Sequence, residues 1–461
     1  MNPPRLLNKP DPPQSETPQT RRVTQTSHTN DPVSTGDVHF RTGYGDFAVL
    51  LDLSGDKNAA MKWAAEWLPQ TTVKPLNKAR LKWASKRQAL AQVRAFKPKV
   101  FAVFTRDISM QSGLGALMLF AIAAGANKVV IGDRQGRLAS RGILSVVLGQ
   151  APRFLLELVA GYGLIIPLSA LLTLALRLSL VFRAPVRASR DTNGGDGQRH
   201  SFTTLYLRGT PASAVEGGMR THVAGFASGA AALGHQLKFC TSDTRGDDDS
   251  ATIPPSRLFS ATKALFEIWN NLVFTVKTIR RLSSDAALSN EIDFVYQRYS
   301  RFNWTGVALS ALTGVPLALE FNGSEVWVSR HWDPIGQLWL LKLFERLNQR
   351  AADLIFVVSD VERRNLIDAG VTPAKIVVNP NGVDPERFRP ECGGRDIRLA
   401  LGIEGKTVIG FIGTFGPWHG APVLAEAARL VSAEAGCHFL FIGDGDERAA
   451  TESSIELADV S

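Results

Sequence analysis

Two periodicities alternate along this chain and predict an α/β protein. Short apolar runs rich in Val, Ile and Phe are followed by longer segments whose apolar residues recur every three to four positions. Predicted strands lie at residues 47–53, 100–105, 128–132, 203–209, 236–241, 354–358, 375–378, 407–415 and 437–442. Two further ranges, 294–300 and 315–325, each combine a predicted strand with the loop after it. Predicted helices lie at residues 59–68, 78–96 and 109–124, after Gly217 and Gly218, after Ser359, and around Pro422. This alternation favours parallel sheets covered by helices.

Two segments of the chain show neither of these apolar periodicities. Residues 1–37 are rich in Pro, Ser, Thr, Gln and Asn and poor in apolar residues, which predicts a disordered tail without the apolar core of a secretion signal. Residues 188–200 have the composition of a flexible linker.

The longest apolar run is residues 158–176, which contain no charged side chain and are close to the roughly 20 residues that cross a bilayer as a helix. A bend at Gly161, Gly163 and Pro167 would instead produce a re-entrant hairpin with both flanking domains on the cytoplasmic side. A buried core helix is the third interpretation. Arginines flank both ends of the run, so the positive-inside rule gives no orientation.

Charged residues follow two strands of the first predicted domain. They occur in the segments 104–107 and 132–137, at the strand ends where α/β proteins bind ligands. Solvated turns explain these charges equally well, and no family resemblance is recognised for this domain.

Glycine-rich turns follow both strands of the last predicted β-α-β unit. The residues in these turns are Gly413, Thr414, His419, Gly420, Gly443 and Gly445. Backbone N–H groups at such turns and at helix starts bind phosphate, and His419 could add a positive charge. Tight strand-to-helix turns alone explain the same glycines, so both interpretations stay open. Upstream, the segment 379–384 has dense turn chemistry, with Asn381 and Gly382 suited to positive φ.

Taken in order, these segments resemble the family-4 glycosyltransferases of the GT-B fold, which are retaining enzymes that use sugar nucleotides. Residues 380–384 (PNGVD), with Phe388 and Pro390, resemble the inter-domain signature of that family. Residues 413–420 (GTFGPWHG) resemble its first donor-domain loop, and residues 441–448 (FIGDGDER) its second strand and turn. The resemblance begins near Thr203 and covers a little over half of the chain.

The resemblance implies a role for each group of motif residues. Gly217 and Gly218 would approach the donor diphosphate and sugar, together with His222 and the glycine-rich turns of the donor side. The inter-domain hinge would consist of Asn379, Asn381, Gly382 and Asp384. Many relatives carry a histidine after an acceptor-side strand where this chain offers Glu320 and Asn322, which become the candidate catalytic residues. The family uses a nucleoside-diphosphate sugar as donor, with no bound metal and no other cofactor.

Three departures from the family pattern shape the expectations. Thr414 replaces an arginine and His419 a lysine in the first donor loop, which predicts weaker or pH-sensitive neutralisation of the diphosphate. Glu320 and Asn322 stand where many relatives carry the acceptor-side histidine. The paired glutamates that contact the donor sugar in relatives would lie beyond Ser461. Two donor-side strands instead of the usual five or six predict open apolar surface and a truncated gene product.

Composition agrees with a multi-domain globular chain. Its 461 residues are 44% hydrophobic and 21% charged, and a formal net charge of +9 favours anionic partners such as phospholipid head groups or sugar nucleotides. No nucleic-acid-binding motif is present. The three cysteines are widely spaced, which suits a reducing compartment without disulfides or a zinc site.

These observations predict a GT-B type α/β protein with an extra N-terminal α/β segment and a membrane-associated helix or hairpin. The predicted layout is a tail (1–40), an α/β extension (41–141), a hydrophobic segment (142–183), a linker (184–200), an acceptor-side domain (201–395) and an incomplete donor-side domain (396–461). The expected function is transfer of a sugar to a lipid-linked or polysaccharide acceptor at the cytoplasmic side of a membrane, in cell-envelope or exopolysaccharide synthesis. Alternatives are an inactive fragment or membrane-tethered scaffold, and a GT-B epimerase or hydrolase.

Overall fold

The computed structural model describes residues 47–76, 81, 85–108, 111–182, 201–209, 218–242, 250–416, 419–431, 436–445 and 447–456. The predicted tail, the linker and Gly217 lie outside these ranges.

The first described domain is a five-stranded sheet whose order is β2-β1-β3-β4-β5. Its strands are β1 (Phe47–Asp52), β2 (Thr72–Pro75), β3 (Val100–Thr105), β4 (Lys128–Asp133) and β5 (Leu138–Gly142). Its helices are α1 (Lys57–Trp67), α2 (Lys86–Ala95) and α3 (Leu114–Ala123). All pairs are parallel except β4 with β5. The sequence predicted β1, β3 and β4, while β2 and β5 were missed because their residues are mostly exposed and carry little apolar signal.

Gly132 on β4 lets the Trp63 side chain pack directly on the sheet. A Cβ at residue 132 would lie 2.3 Å from Cε2 of the Trp63 indole, which is buried and packs on Phe104 at 5.3 Å between ring centroids. We expect Gly132→Ala to lower the free energy of unfolding by about 2 kcal/mol, because the indole must shift in a packed core. Urea denaturation measures the change.

The matched control for this prediction is Gly229→Ala, inside the helix that covers the second sheet. A Cβ there meets nothing within 4 Å. Alanine in an open helix interior is expected to stabilise by roughly 0.5–1 kcal/mol, because glycine loses more backbone entropy on folding. Equal effects of the two substitutions would contradict the packing explanation.

The second described domain is a seven-stranded sheet with the order β12-β11-β10-β9-β6-β7-β8, and every pair is parallel. Its strands are β6 (Thr203–Arg208), β7 (Gln236–Thr241), β8 (Ser250–Thr252), β9 (Phe294–Arg298), β10 (Leu317–Glu320), β11 (Leu354–Val357) and β12 (Ile376–Val378). The predicted parallel α/β class is confirmed.

Helices cover this second sheet, and a large apolar core lies between them and the strands. The helices are α6 (Gly218–Ala232), α7 (Lys263–Ser284), α8 (Ala286–Glu291), α9 (Thr305–Thr313), α10 (Glu325–His331), α11 (Leu338–Ala351) and α12 (Asp360–Asp368), with 3-10 turns at Pro373–Lys375 and Pro390–Cys392 and a short helix α13 (Arg395–Ala400). Two further helices precede α6 in the chain: αA (Ile143–Ala160) and αB (Ile166–Ser179).

Helix α6 packs on the sheet through Val223 and Phe226, whereas Leu233, just beyond its end, is mostly exposed.

At the start of α12, Ser359 Oγ accepts from the N–H of Glu362 at 3.3 Å. The Glu362 carboxylate accepts from Asn365 instead of returning to the Ser359 backbone, so only half of a capping box is formed.

Between the two domains runs one long helix of 37 residues, Ile143–Ser179. It consists of αA (Ile143–Ala160), a π-helical turn (Gly161–Ile165) and αB (Ile166–Ser179), and a 3-10 turn, Leu180–Phe182, follows it. The helical direction continues through Gly161, Gly163 and Pro167. The predicted re-entrant hairpin is therefore wrong: Pro167 lies at the start of αB, and the π turn absorbs the irregularity.

The last described part is a β-α-β-α unit with two parallel strands. It comprises β13 (Thr407–Ile412), α14 (Ala421–Leu430), β14 (Cys437–Ile442) and α15 (Arg448–Glu456). Its apolar residues are exposed, as the sequence predicted for so few strands: Ile412 is 80%, Val423 72% and Leu430 88% exposed. Within the described residues this two-stranded sheet has no third strand to cover it.

Candidate functional site

The carboxyl ends of the seven parallel strands meet at one edge of the second sheet. The chain passes from β6 to β7 on one side and later returns to β9 on the other side of β6, so the strand order reverses between β6 and β9. In open α/β sheets ligands bind in the crevice outside such a reversal. Glu320 ends β10, directly beside Arg298 at the end of β9, because the strand register pairs these two residues.

Glu320 is a buried carboxylate that three donors approach. Its Oε1 accepts hydrogen bonds from Arg298 and from Asn322 Nδ2, the latter at 2.7 Å. His222 Nε2 lies 3.1 Å from the same oxygen. Among the described residues no donor bonds to Oε2. Glu320 therefore has one oxygen held by polar side chains, while Oε2 is buried.

The surroundings favour the charged form of Glu320. Burial by itself raises the pKa of this carboxyl, but His222, Arg298 and Asn322 outweigh that effect and the net pKa is lowered. The neighbouring Tyr296 keeps its proton, because burial and the negative charge of Glu320 raise the pKa of its hydroxyl. The site thus offers an ionised carboxylate beside a neutral phenol, which can orient a sugar hydroxyl or stabilise developing positive charge.

His222 is positioned by the aromatic packing of helix α6. Phe226, one turn further along α6, packs on Tyr296 at 4.6 Å and on Tyr206 at 5.7 Å between ring centroids. This contact holds α6 over β6 and β9 and turns His222 toward Glu320. The sequence placed His222 with the diphosphate-binding residues, whereas the structure brings it to the candidate catalytic carboxylate. Its donor-binding role stays a prediction, as does that of Gly218, the first residue of α6.

The sequence reasoning missed Arg298. Its charge comes at the end of a strand, as Glu320 does, but only the register shows that the two side chains are neighbours. The buried side chain of Asn303 was missed as well. Its Nδ2 has no hydrogen-bond partner within the described part of the chain and lies against Gly209, where a Cβ would be 2.0 Å away. Gly209 is thus required for a close approach at the end of β6.

A second polar cluster lies beside this edge, around the buried guanidinium of Arg301. Arg301 donates to Glu267 Oε1 at 3.1 Å and to Asp333 Oδ2 at 2.9 Å, and Lys263 also contacts Asp333. Glu325 lies 3.7 Å from Arg301. Burial raises the pKa of Glu267 to about 7 despite Arg301, while Lys263 and Arg301 overcome burial and lower the pKa of Asp333 to about 2. The cluster joins α7, α10 and the loop after β9.

Glu267 predicts a pH dependence of stability. Burial raises its folded-state pKa from the usual range of a glutamate to about 7, so its contribution is present at acid pH and is lost as pH rises toward and through 7. We expect Glu267→Gln to lose less stability between pH 5 and pH 8 than the parent chain. Urea midpoints at both pH values measure this, with the exposed Glu452→Gln as control. An unchanged pH dependence in Glu267→Gln would contradict the raised pKa.

The two glycine-rich turns that follow β13 and β14 are hydrogen-bonded to each other. Gly413 N donates to Ile442 O at 3.0 Å, and Phe415 N donates to Asp444 O at 2.9 Å. A Cβ on Gly443 would lie 1.8 Å from Gly413 O, and one on Gly445 2.8 Å from Phe415 N. Close backbone contact between the turns therefore accounts for Gly443 and Gly445, and the N–H groups of Gly413 and Phe415 are already engaged.

His419 folds back onto its own turn. Its Nδ1 contacts Thr414 Oγ1 at 3.0 Å and also the Thr414 carbonyl. Gly420 has φ +72° and occupies the N-cap position of α14, a backbone conformation that favours glycine. Diphosphate binding by Gly413, Thr414, His419, Gly420, Gly443 and Gly445 stays a prediction.

The predicted hinge is an exposed, turn-rich segment after β12. Asn379 N donates to Val357 O at 2.7 Å, and Asp384 Oδ1 accepts from the N–H groups of Glu386 and Arg387. Asn381 and Gly382 do not adopt the positive φ that their residue types suggested. The segment ends in a turn that the Asp384 carboxylate caps.

The charged strand ends of the first domain satisfy one another. Buried Asp133 accepts from the N–H groups of Ile108, Gln135 and Arg137 at 3.0 Å and pairs with the Arg137 guanidinium. Arg106 donates to Ser54 O at 2.7 Å. These bonds shape the turns, which supports the structural interpretation of both segments. In the described ranges no group of three His, Cys, Asp or Glu side chains has the arrangement of a metal site.

Comparison with known proteins identifies one family model that matches part of the chain. Residues 216–387 match the model described as Glycosyltransferase Family 4. A curated relative, D-inositol 3-phosphate glycosyltransferase of Kineococcus radiotolerans, is 40% identical over 79 residues. This match covers 17% of the present chain and 18% of the relative, so the chain spans less than a fifth of the relative it matches.

Solved structures with similar folds include HepE of Anabaena in complex with UDP-glucose and a glycosyltransferase of Rickettsia africae. The first has a TM-score of 0.39 and 15% identity, and the second a TM-score of 0.38 and 18% identity. Both matches cover 56% of this chain and 65% of the solved chain. With TM-scores below 0.5, these likenesses add nothing to what the family match shows.

Proposed function

We propose that this chain, whose residues 216–387 belong to glycosyltransferase family 4, transfers a sugar from a nucleoside-diphosphate sugar to an acceptor with retention of configuration. A lipid-linked or polysaccharide acceptor, in cell-envelope or exopolysaccharide synthesis on the cytoplasmic side of a membrane, completes the proposal. The long apolar helix that adjoins the family-4 region supports a membrane-associated acceptor.

One observation carries this proposal beyond the family match. Glu320 is an ionised carboxylate in a buried position, with Oε1 held by hydrogen bonds from Arg298 and Asn322 and with His222 Nε2 3.1 Å away. It lies one strand from the reversal of strand order, where a bound ligand is expected. A fixed negative charge there would orient the acceptor hydroxyl or favour the positive charge that develops on the donor sugar.

The proposed transfer reaction assigns a role to each polar residue near Glu320. Arg298 and Asn322 hold the Glu320 carboxylate in one orientation, so little reorganisation is needed during the reaction. His222 Nε2, 3.1 Å from Glu320 Oε1, adds a third polar group around the same carboxylate oxygen. On the donor side, backbone N–H groups of the glycine-rich turns other than those of Gly413 and Phe415, together with His419, would face the leaving diphosphate, without a metal.

The test incubates the purified full chain with radiolabelled nucleoside-diphosphate sugars, with and without a lipid-linked acceptor. Acceptor-dependent appearance of labelled glycolipid is the expected result. Conversion of the donor without acceptor would identify an epimerase or hydrolase. Isothermal titration that detects nucleotide binding without turnover would favour an inactive or scaffold protein, and absence of both binding and turnover would overturn the transferase assignment.

A further inference from the structure

The long helix between the two domains has its apolar residues on the outside. Fifteen large apolar side chains between residues 143 and 181 are exposed, and Leu148 and Leu156 are 72% and 69% exposed. Surface helices of water-soluble domains show the opposite arrangement, with apolar residues inward and polar residues outward. A contiguous apolar surface of this length marks an interaction site.

The face toward the protein combines apolar and polar residues. Val146, Ile165 and Ile166 are buried on it, together with Glu157, Ser169 and Thr173. Glu157 Oε2 accepts from the N–H of Ala261 at 2.8 Å, and Thr173 Oγ1 accepts from Trp304 Nε1 at 3.1 Å. These bonds attach the helix to the second domain through polar groups that would be costly to expose to hydrocarbon. The inner face is therefore held in place, whereas the outer face presents exposed apolar side chains.

A π turn joins the two halves of the helix. The N–H of Ile166 bonds to the carbonyl of Gly161, five residues back. The additional residue rotates the sequence pattern by about 100° relative to an uninterrupted helix, since 3.6 residues make one turn. Gly161 permits this turn to contact α7 closely, because a Cβ there would lie 2.6 Å from Leu265 Cδ1.

Both halves of the helix are bound to folded domains. αA packs against α3 and β5 of the first domain, and αB packs against α7, α9 and α11 of the second. At 37 residues the helix is about 55 Å long, which exceeds the hydrocarbon thickness of about 30 Å. A crossing of the bilayer would separate the helix from its polar contacts or draw globular domains into lipid.

We infer that this helix lies in the plane of the membrane and inserts its outer face into one leaflet of an anionic bilayer. The net charge of +9 and the exposed side chains of Arg141, Arg153 and Arg177 complement acidic head groups. The exposed ring of Tyr162, whose hydroxyl accepts from Gln337, suits the interfacial region. The occupant of this apolar surface is lipid, and the helix does not span.

This arrangement also deepens the proposed function, on which the following point rests. Trp304, which donates to Thr173 of the helix, belongs to the loop that leaves the carboxyl end of β9 beside Glu320. An in-plane helix would thus hold the candidate site next to the lipid surface. The acceptor class that this geometry favours is an amphiphile whose tail remains in the same leaflet.

Vesicle flotation of the full chain tests the lipid contact without any activity measurement. We expect binding to phosphatidylcholine vesicles that contain about one third phosphatidylglycerol, and weaker binding to vesicles without the anionic lipid. The triple substitution Leu148→Asp, Leu155→Asp and Leu171→Asp should reduce partitioning by about 100-fold or more. Ile397→Asp, at an exposed apolar residue of α13, is the matched control and should float like the parent.

Depth measurements distinguish lying in the plane from spanning. Nitroxide labels at residues 144, 155, 164 and 178 are expected to report one shallow, similar depth in the same vesicles. A gradient of depth that ends on the far side would overturn the in-plane arrangement. Flotation equal for the triple variant and the parent, or a stable dimer without vesicles that the same variant dissociates, would show that protein instead of lipid covers the outer face. Circular dichroism of each variant verifies folding.

Discussion

Replacing Glu320 with glutamine is expected to lower the rate of sugar transfer by about 100-fold or more, because the fixed negative charge at the sheet edge is lost. The amide keeps the shape of the side chain, and Asn322 and Arg298 can still contact its oxygen. Initial rates at saturating donor and acceptor, measured on the full chain, give the effect. Nucleotide affinity should change little, since the proposed diphosphate contacts lie in the glycine-rich turns after β13 and β14.

The control for this substitution is the same chemical change at the opposite edge of the sheet. Asp293 Oδ2 accepts from the N–H of Thr203 at 2.7 Å, at the amino ends of β9 and β6. Asp293→Asn removes a carboxylate that supports the fold, so we expect a modest loss of stability and nearly parental transfer. Transfer by Glu320→Gln within a few-fold of the parent would remove Glu320 from the proposed mechanism.

Replacing Gly443 with alanine should destabilise the unit formed by β13, α14 and β14. Gly443 has φ +143°, and a Cβ there would lie 1.8 Å from the carbonyl oxygen of Gly413. Backbone strain and the forced separation of the two turns together cost about 3 kcal/mol. Amide exchange in β13 and β14 is then expected to accelerate by about 100-fold, since each 1.4 kcal/mol corresponds to a factor of ten.

Gly410→Ala provides the comparison within the same unit. Gly410 lies in β13, and a Cβ there meets nothing within 4 Å, so exchange should stay close to that of the parent. Nucleotide binding measured on both variants tests the predicted diphosphate role of the turns. Parental exchange rates in Gly443→Ala would show that the close contact between the two turns does not stabilise this unit.

The elements of this fold follow from local patterns more readily than their contacts do. The strands at Val100–Thr105, Gln236–Thr241 and Cys437–Ile442 lie where apolar runs of strand length predicted them. Strands β2 and β5 escaped prediction because each is largely exposed, and the hairpin was wrong because a π turn can carry glycines without reversing the chain. Local propensity identifies a break in a pattern but not how neighbouring elements accommodate it.

For the candidate site, too, single residues could be suggested from the sequence but their contacts could not. The family resemblance suggested Glu320, Asn322 and His222 as separate candidates, yet their meeting at a single carboxylate oxygen depends on the pairing of β9 with β10 and on the packing of α6. Arg298 had no distinguishing signal before that register was known. Asp133 shows the converse: a charged strand end that could have bound a ligand is occupied by its own turn.

Residue order alone was sufficient for the α/β class, the family resemblance and the position of the charge-free apolar segment. Each of these depends on composition and periodicity within a short window, which packing does not change. Three-dimensional packing was needed to bring Arg298 and His222 to Glu320 and to turn the leucines of the long helix outward while Glu157, Ser169 and Thr173 face the protein. Which side of a helix or strand is buried depends on its partner, and partners far apart in sequence are specified only by the assembled fold.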